Sequence, residues 1–316
     1  MIFRRLEKDF FDRLKDKSEA LHYILDFERK HRKSFMVEIR KNFLDLYFLG
    51  HTIEVRKRGD GFFLVASQEF DPTKLLVETP NTIVKPYGKS KWQISFNDIK
   101  NYSWFEEIMS AAIGRIVMHK GGNISEGVSE VNHFIDNRAI GKNGILVIDR
   151  QVVYPRSGKG RIDLLGFKRL PSGKFTFSVI ELKNKNNKEI EDVFTRQLKR
   201  YIDLVYDKYE DFVETYTEVF RQKVDLGLLK PVDCKFAHKS EISKKDIEGI
   251  AILDNYNIKS DLKTNGLLGR ALCDWAKIGG EYTTKLFLKT NVLDSTFFFN
   301  HHEAKTFLGR FKSCNL

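Results

Sequence analysis

The sequence predicts an α/β protein, in which a smaller, mostly β N-terminal domain precedes a larger domain with a mixed sheet flanked by helices. Short apolar segments separated by turn residues fill the first part of the chain, whereas strands alternate with helices after Gly141. The length of 316 residues exceeds that of one typical domain. We therefore predict two domains, residues 1–120 and residues 121–316, with the boundary near Lys120.

The N-terminal domain is predicted to begin with one or two helices, because apolar residues in its charged first segment recur at helical spacing. An antiparallel meander of about four strands follows as far as Ala66, with turns at Gly50 and at Gly59-Asp60-Gly61. Residues 72–101 are predicted to be irregular and residues 104–119 to form a helix.

The C-terminal domain is predicted to alternate strands with helices. The break at Gly121-Gly122-Asn123 precedes Ser125, which is a suitable N-cap for a helix. This order is typical of a domain with a mixed sheet. The predicted helices are residues 125–137, 191–205 and 267–278, and the predicted strands are residues 145–148, 152–154, 161–167, 175–182, 248–254 and 285–289.

Composition places the chain among ordinary globular proteins, since 41% of its residues are hydrophobic and 31% are charged. No apolar run is long enough to cross a bilayer, and the N-terminus has no secretory signal, so the expected location is the cytoplasm. The cysteines are far apart and lack metal-ligand spacing, which argues against a zinc site or a disulfide framework. They are Cys234, Cys273 and Cys314.

The chain carries a formal net charge of +11 and has a pI of about 9.3. A surplus of this size favours a polyanionic partner, because lysine and arginine displace the counterions of nucleic acids, although charge alone is weak evidence. The basic runs at residues 29–33 and 56–58 are solvated surfaces by default. They are the expected phosphate contacts if the N-terminal domain binds DNA.

Three charged residues at the ends of two predicted strands indicate a site. Glu181 and Lys183 end an apolar strand, and the strand period of two puts both on one face. Asp163 follows Gly160-Arg161-Ile162 on the preceding strand, and a hairpin turning at Gly173 would bring its carboxylate within a few ångströms of the other two groups. Two carboxylates held this close repel each other unless they share a proton or a cation.

A divalent metal ion is the expected solution to this repulsion. Mg²⁺ prefers carboxylate oxygens and keeps several waters, and it can activate water and neutralise a phosphate. Asp163 and Glu181 are therefore the predicted metal ligands, and Mn²⁺ is the expected substitute for Mg²⁺. Lys183 is expected to hold or help deprotonate the attacking water and to stabilise the transition state, and a lysine among acids favours the charged, electrostatic role.

A third acid is expected from the helix before the sheet, where Glu130 flanks an apolar stripe. Glu130 is preferred because it lies deeper in the helix, and Glu126, four residues earlier on the same face, remains an alternative. Downstream, Gln197 and Tyr201 share a helix face. Gln197 could orient Lys183 or a water and Tyr201 could contact DNA, although each residue alone is more readily explained as structural.

The chain resembles the PD-(D/E)XK nuclease superfamily in an ordered set of residues: Glu130, Asp163, Glu181-Leu182-Lys183 and Gln197-x-x-x-Tyr201. The glutamine-to-tyrosine spacing and the Gly-Arg-Ile-Asp strand are similar to the RecB-like and NucS-like branches. The resemblance spans roughly residues 125–289. It implies a restriction-endonuclease-like core and Mg²⁺-dependent hydrolysis of DNA phosphodiesters, with catalytic and metal-binding roles for the matched residues. Ile162 stands where many members have proline.

The resemblance also implies a partner and a biological role. The partner is DNA, and the role is that of an endonuclease in DNA repair or in restriction and anti-phage defence, which the sequence does not separate. Arg161 and Lys185, in polar loops that are solvated by default, are expected to contact the nucleic acid beside Tyr201. A homodimer would suit duplex cleavage, although no motif argues for one. The alternatives are a catalytically inactive nucleic-acid-binding module on the same fold and a metal-free ion-pair network.

Overall fold

The computed structural model describes residues 4–120, 145–154, 160–184, 187, 189–229, 241–254, 269–271, 284–289 and 296–300. These residues form two sheets and several helices, which confirms the predicted α/β class. The chain divides into two compact units. Among the described residues, the N-terminal unit comprises residues 4–120 and 215–229, and the C-terminal unit comprises the remainder. The predicted boundary near Lys120 adjoins residues 121–144, which lie outside the described residues, so its position stays a prediction.

The N-terminal unit is built on a six-stranded antiparallel sheet. Its strands are β1 Phe35–Ile39, β2 Phe43–Phe48, β3 His51–Arg58, β4 Gly61–Ser67, β5 Lys85–Tyr87 and β6 Lys91–Ser95. Their order in the sheet is β1-β2-β3-β4-β6-β5, and the first four strands form the predicted meander. Asn42 and Gly59 have positive φ angles of 52° and 54° in the turns before β2 and β4, where tight hairpins favour this conformation.

Helices pack against one face of this sheet. They are α1 Lys8–Lys15, α2 Tyr23–Lys30 and α3 Tyr102–Lys120. The side chain of Asn101 accepts a hydrogen bond from the backbone N–H of Trp104 at 3.0 Å and so caps the start of α3. One core joins the two layers through fully buried side chains, among them Phe10, Ile24 and Phe105 of the helices and Leu44, Val55, Leu64 and Ile94 of the strands.

Two strands, β5 and β6, lie in the stretch that was predicted to be irregular, and for them the prediction is wrong. Trp92 and Ile94 of β6 alternate into the core and are almost completely buried. The strand has only five residues, and β5 only three, so the period-two pattern is too short to stand out in the sequence. Pairing with β4 stabilises this short strand, and sequence-local patterns do not reveal that pairing.

One carboxylate of α3 holds the segment that precedes β5. Glu107 accepts hydrogen bonds from the backbone N–H groups of Val77, Glu78 and Thr79 at 2.6, 2.8 and 3.2 Å, and the hydroxyl of Thr79 also donates to it. Burial alone would raise the pKa of Glu107, but these hydrogen bonds outweigh it and hold the pKa below its ordinary value. The charged form of Glu107 therefore stabilises the folded unit.

Glu107→Ala is expected to lower the free energy of unfolding by about 1 kcal/mol, because water replaces the carboxylate at the exposed amides. Since the pKa of Glu107 is lowered on folding, this stabilisation is fully present above the pKa of the unfolded chain, about 4.3. It is lost as the pH falls through the lower value of the folded state. Urea denaturation of wild type and Glu107→Ala from neutral to acid pH measures this stabilisation. A difference in unfolding free energy between the two proteins that does not shrink in acid would contradict the assignment.

The C-terminal unit contains a six-stranded sheet, which is mixed as predicted, although the strands predicted at 145–148 and 152–154 form one strand and the strand Thr296–Asn300 was not predicted. Its strands are β7 Ile145–Val153, β8 Arg161–Arg169, β9 Phe175–Asn184, β10 Ile242–Asp254, β11 Thr284–Lys289 and β12 Thr296–Asn300. Their order is β12-β11-β10-β9-β8-β7. Strands β7, β8 and β9 are antiparallel, β9, β10 and β11 are parallel, and β12 is antiparallel to β11.

Helices follow β9 along the chain. They are α4 Ile190–Asp192, a π-helical turn Val193–Gln197, α5 Leu198–Asp207 and α6 Tyr209–Asp225. Parallel neighbours such as β9 and β10 require a crossover connection, and α5 packs on both strands. The helix predicted for residues 191–205 is confirmed, although the π turn inside it was not predicted. Helix α6 was not predicted at all, and it is divided between the two units at Thr215.

Candidate active site

The ends of β8 and β9 bring together the three charged residues at the centre of the prediction. Leu164 faces Ile180 in the antiparallel register, and one further step along that register puts Asp163 opposite Glu181. Because cross-strand partners point to the same side of a sheet, both carboxylates lie on one face. Lys183 joins them from two residues further along β9.

All three of these side chains are buried, with 3% of Asp163, 2% of Glu181 and 3% of Lys183 exposed. Lys183 Nζ donates to Glu181 Oε1 at 2.9 Å. Asp163 Oδ2 accepts a hydrogen bond from the backbone N–H of Leu182 at 3.0 Å, which ties the carboxylate of β8 to the backbone of β9. Arg161 is half exposed, and its Nη2 lies 4.0 Å from Asp163 Oδ1.

Electrostatics at this point of the sheet favour either a proton shared by the two acids or an additional cation. Burial raises the pKa of Glu181 well above its ordinary value, the nearby charge of Asp163 raises it further, and the ammonium of Lys183 offsets only part of the effect. Glu181 Oε2 is buried and has no hydrogen-bond partner among the described residues. A buried carboxylate oxygen without a partner is costly unless a further group binds there.

The π turn and α5 bring two more predicted residues to the same site. Gln197 Nε2 donates to Glu189 Oε2 at 3.3 Å, and Gln197 Oε1 is buried without a partner among the described residues. The pKa of Tyr201 is raised, first by burial and then by the charge of Glu181, while Arg200 partly offsets the shift. Single π turns inside α-helices occur often at functional sites, and this one ends at Gln197.

Two contributors to this site were not predicted. Glu189 Oε2 lies 3.2 Å from Lys183 Nζ, so this lysine bridges a buried and an exposed carboxylate. Arg200 Nη2 donates to the hydroxyl of Tyr201 at 3.3 Å and its guanidinium lies over the tyrosine ring. The sequence offered a weak signal for Glu189, which is an acid at the end of an otherwise basic loop. It offered none for Arg200, which follows another exposed basic residue, Lys199, on its helix.

Gly160 fits closely against Tyr201 at the start of β8. Its φ angle is +90°, and a Cβ atom at this position would lie 2.8 Å from the hydroxyl oxygen of Tyr201. Gly173 has a similar φ angle of +82°, but a Cβ there would meet nothing within 4 Å. A side chain at Gly173 would therefore cost only the strain of a positive φ angle, whereas one at Gly160 would also displace Tyr201.

Gly160→Ala is expected to lower both the stability of the protein and any activity that depends on Tyr201. Gly173→Ala should lower stability alone, by about 1 kcal/mol, since both substitutions force alanine into a positive φ angle. Thermal unfolding measures the first effect, and cleavage rates of the two variants measure the second. Equal activities for the two variants would show that the contact with Tyr201 has no functional consequence.

Several predicted residues lie outside the described residues. They are Glu130 and its alternative Glu126, together with Lys185. The part of the chain that the structure describes contains no group of three or more histidine, cysteine, aspartate or glutamate residues that could hold a metal ion. Asp163 and Glu181 are thus two acids of a site whose predicted third acid stays a prediction.

Comparison with known proteins adds no relative. No family model matches the chain, and neither does a curated protein or a solved structure. Among the described residues, the helices are too short or too polar to span a membrane.

Proposed function

We propose that the protein is a metal-dependent deoxyribonuclease of the PD-(D/E)XK type with a restriction-endonuclease-like core. The observation that carries the proposal is the position of Asp163 and Glu181. Their carboxylates are buried opposite each other on adjacent strands, Lys183 lies beside them, and one oxygen of Glu181 has no partner among the described residues. An ordinary structural ion-pair network would satisfy that oxygen.

The topology of the C-terminal sheet supports the same proposal. The antiparallel strands β7, β8 and β9 are followed by helices and then by β10, which is parallel to β9. This arrangement agrees with the mixed sheet flanked by helices that the resemblance implies. The acids stand at the ends of β8 and β9, and the lysine follows the second acid after one residue, as in the matched motif.

The donor set fits a hard divalent cation. Asp163 and Glu181 offer carboxylate oxygens, which Mg²⁺ prefers and Mn²⁺ also accepts, and Glu130 or Glu126 is proposed as the third acid. When bound, such an ion supplies Lewis acidity toward a phosphate and lowers the pKa of a bound water. The carboxylate of Asp163 is held in a fixed orientation, because one of its oxygens accepts the hydrogen bond from the backbone N–H of Leu182.

Lys183 is the residue that we assign to the attacking water. Its ammonium is held between Glu181 and Glu189, and both neighbours favour the charged form. A charged ammonium in this position orients the water and stabilises negative charge as it grows on the phosphoryl oxygens during hydrolysis of the phosphorus–oxygen ester bond. Gln197 acts as a positioning residue, because its amide donates to Glu189 and so fixes the partner of Lys183.

Tyr201 and Arg161 are assigned to the nucleic acid. Burial and then the charge of Glu181 raise the pKa of Tyr201, and Arg200 stacks on its ring. Arg161 is half exposed beside Asp163 and offers a guanidinium that can bind a phosphate through two hydrogen bonds. Lys185 is proposed as a further phosphate contact.

A substrate panel tests the proposal. Single-stranded, duplex and branched DNA are incubated with the full-length protein in Mg²⁺, in Mn²⁺ and in EDTA. We expect cleavage of at least one substrate with either metal ion and none in EDTA. Cleavage that persists in EDTA would overturn the metal site, and DNA binding without any cleavage would favour the catalytically inactive binding module.

A further inference from the structure

The antiparallel sheet of the N-terminal unit has two different faces. On β3, Ile53 and Val55 are buried in the core, whereas Glu54, Arg56 and Arg58 alternate with them and are partly exposed. The second face therefore carries polar and charged side chains, with aromatic rings from the neighbouring strands beside them. It is distinct from the acids of β8 and β9, and the proposed cleavage reaction does not use it.

Among the described residues, the β1 side of this second face is filled. There Glu38 binds Lys223 of α6, and both side chains are fully buried. Toward β5 the face opens to solvent, since 63% of the Lys85 side chain, 42% of the Lys91 side chain and 38% of Tyr87 are exposed. We call the open part the basic face, and define it by Arg56, Arg58, Lys85 and Lys91 with the rings of Phe43, Phe63 and Tyr87.

Arginines and aromatic rings are stacked on each other across the basic face. The guanidinium of Arg56 lies 4.5 Å from the ring centroid of Phe43 on the neighbouring strand. The guanidinium of Arg58 lies 3.9 Å from the ring centroid of Tyr87 and 5.5 Å from that of Phe63. Guanidinium groups fixed in this way lose little side-chain entropy when they bind a ligand, so the face is preorganised.

Charge on the basic face is unbalanced. Two acids lie against it, and the four cations outnumber them. Glu54 pairs with Arg56 and with Lys91 at 3.2 Å, and Asp98, which follows β6, pairs with Lys85 at 3.9 Å. Arg58 donates to Gln93 through Nη1 at 2.9 Å, and its Nη2 is buried without a hydrogen-bond partner among the described residues. Four cationic side chains and an unsatisfied donor favour an anionic ligand with several charges.

We propose that the basic face binds single-stranded nucleic acid. Phosphates would pair with Arg56, Arg58 and Lys91, and bases would stack on the rings and on the guanidinium planes. An acidic peptide would match the charge but has no base to stack, and the bases of a duplex are stacked within its own helix. The surface goes beyond the proposed cleavage, and its binding is measured without metal ions, so the two proposals succeed or fail separately.

Fluorescence anisotropy of a labelled single-stranded oligothymidylate, titrated with full-length protein in EDTA, tests the proposal. We expect Arg56→Gln to weaken binding about five-fold, close to the effect of about 1 kcal/mol per cation near an anionic surface. The slope of log affinity against log salt should fall by about 0.7 for the lost contact. Arg58→Lys keeps the charge but loses the planar group, and it should weaken binding of the oligonucleotide without changing this slope.

Lys57→Gln is the matched control, because Lys57 lies on the same strand but points to the other face, where it pairs with Asp9 at 2.8 Å. It removes the same charge and should leave binding within about two-fold of wild type. An abasic polymer should bind about ten-fold more weakly than the oligonucleotide, since stacking contributes at least 1 kcal/mol per base. Equal binding by the Arg56 variant and its control would overturn the proposal. So would tighter binding of duplex DNA, or binding of polyglutamate as tight as that of the oligonucleotide.

Discussion

Asp163→Asn is expected to reduce Mg²⁺-dependent DNA cleavage by at least about a thousand-fold. The substitution keeps the size of the side chain and leaves an oxygen that can still accept the hydrogen bond from Leu182, but it removes one charged ligand. A metal ion contributes several kcal/mol to transition-state stabilisation, and each 1.4 kcal/mol corresponds to a factor of ten in rate. Initial rates on the best substrate of the panel, at saturating Mg²⁺, measure the loss.

The stability of the same variant separates a functional site from a structural one. Asp163 and Glu181 are buried together, so removal of one charge relieves repulsion, and Asp163→Asn should unfold at the same temperature as wild type or a few degrees higher. Asp246→Asn serves as the matched control, because Asp246 is an exposed acid of the same unit that accepts a hydrogen bond from Ser243. The assignment would be wrong if both variants cleaved at the wild-type rate, or if Asp163→Asn failed to fold.

Lys223→Met is expected to destabilise the N-terminal unit by about 3 kcal/mol or more. Lys223 Nζ donates to both carboxylate oxygens of Glu38 at 2.7 and 2.8 Å, and neither residue is exposed. The variant leaves a buried carboxylate, from which Arg40 Nη1 lies 3.7 Å away. Urea denaturation, followed by circular dichroism, measures the change in the free energy of unfolding.

Two further variants test whether burial of the Glu38–Lys223 pair causes the loss of stability in Lys223→Met. Glu38→Leu combined with Lys223→Met replaces the pair with apolar groups and should recover most of the lost stability, because neither partner then leaves an unpaired charge. Lys8→Met removes a lysine from an exposed pair with Asp12 at 3.9 Å, where 92% of the lysine side chain is exposed, and should change stability by less than about 0.5 kcal/mol. Equal effects of Lys223→Met and Lys8→Met would contradict the explanation.

The sequence predicted those elements whose pattern is local. The meander of β1 to β4, helix α3 and the strands β7 to β9 have enough residues for their hydrophobic periods to stand out. Helix α6 was missed although its buried residues Phe212, Tyr216 and Val219 recur at helical spacing, so that only its polar contacts required knowledge of distant partners. From the local sequence, Lys223 would be assigned to the solvent-exposed surface, because its partner Glu38 is 185 residues away along the chain.

The candidate site was predictable to the same extent. The period of two in a strand was sufficient to put Glu181 and Lys183 on one face, and the hairpin put Asp163 beside them. The salt bridge between Lys183 and Glu189 depends on how the loop after β9 turns back, which no periodicity describes. The π turn that ends at Gln197 is likewise a local change in helical hydrogen bonding that residue spacing does not encode.

The pairing of Lys223 with Glu38 also sets an order of events during biosynthesis. A ribosome releases Glu38 early, yet the ammonium that neutralises it belongs to a helix made after β7, β8 and β9. The nascent N-terminal unit has all strands of its sheet but must wait for the later segment before Glu38 is neutralised, unlike domains that fold as soon as they emerge. A fragment that stops at residue 120 should for this reason be prone to aggregation, and co-expression of a peptide containing residues 215–229 should rescue it.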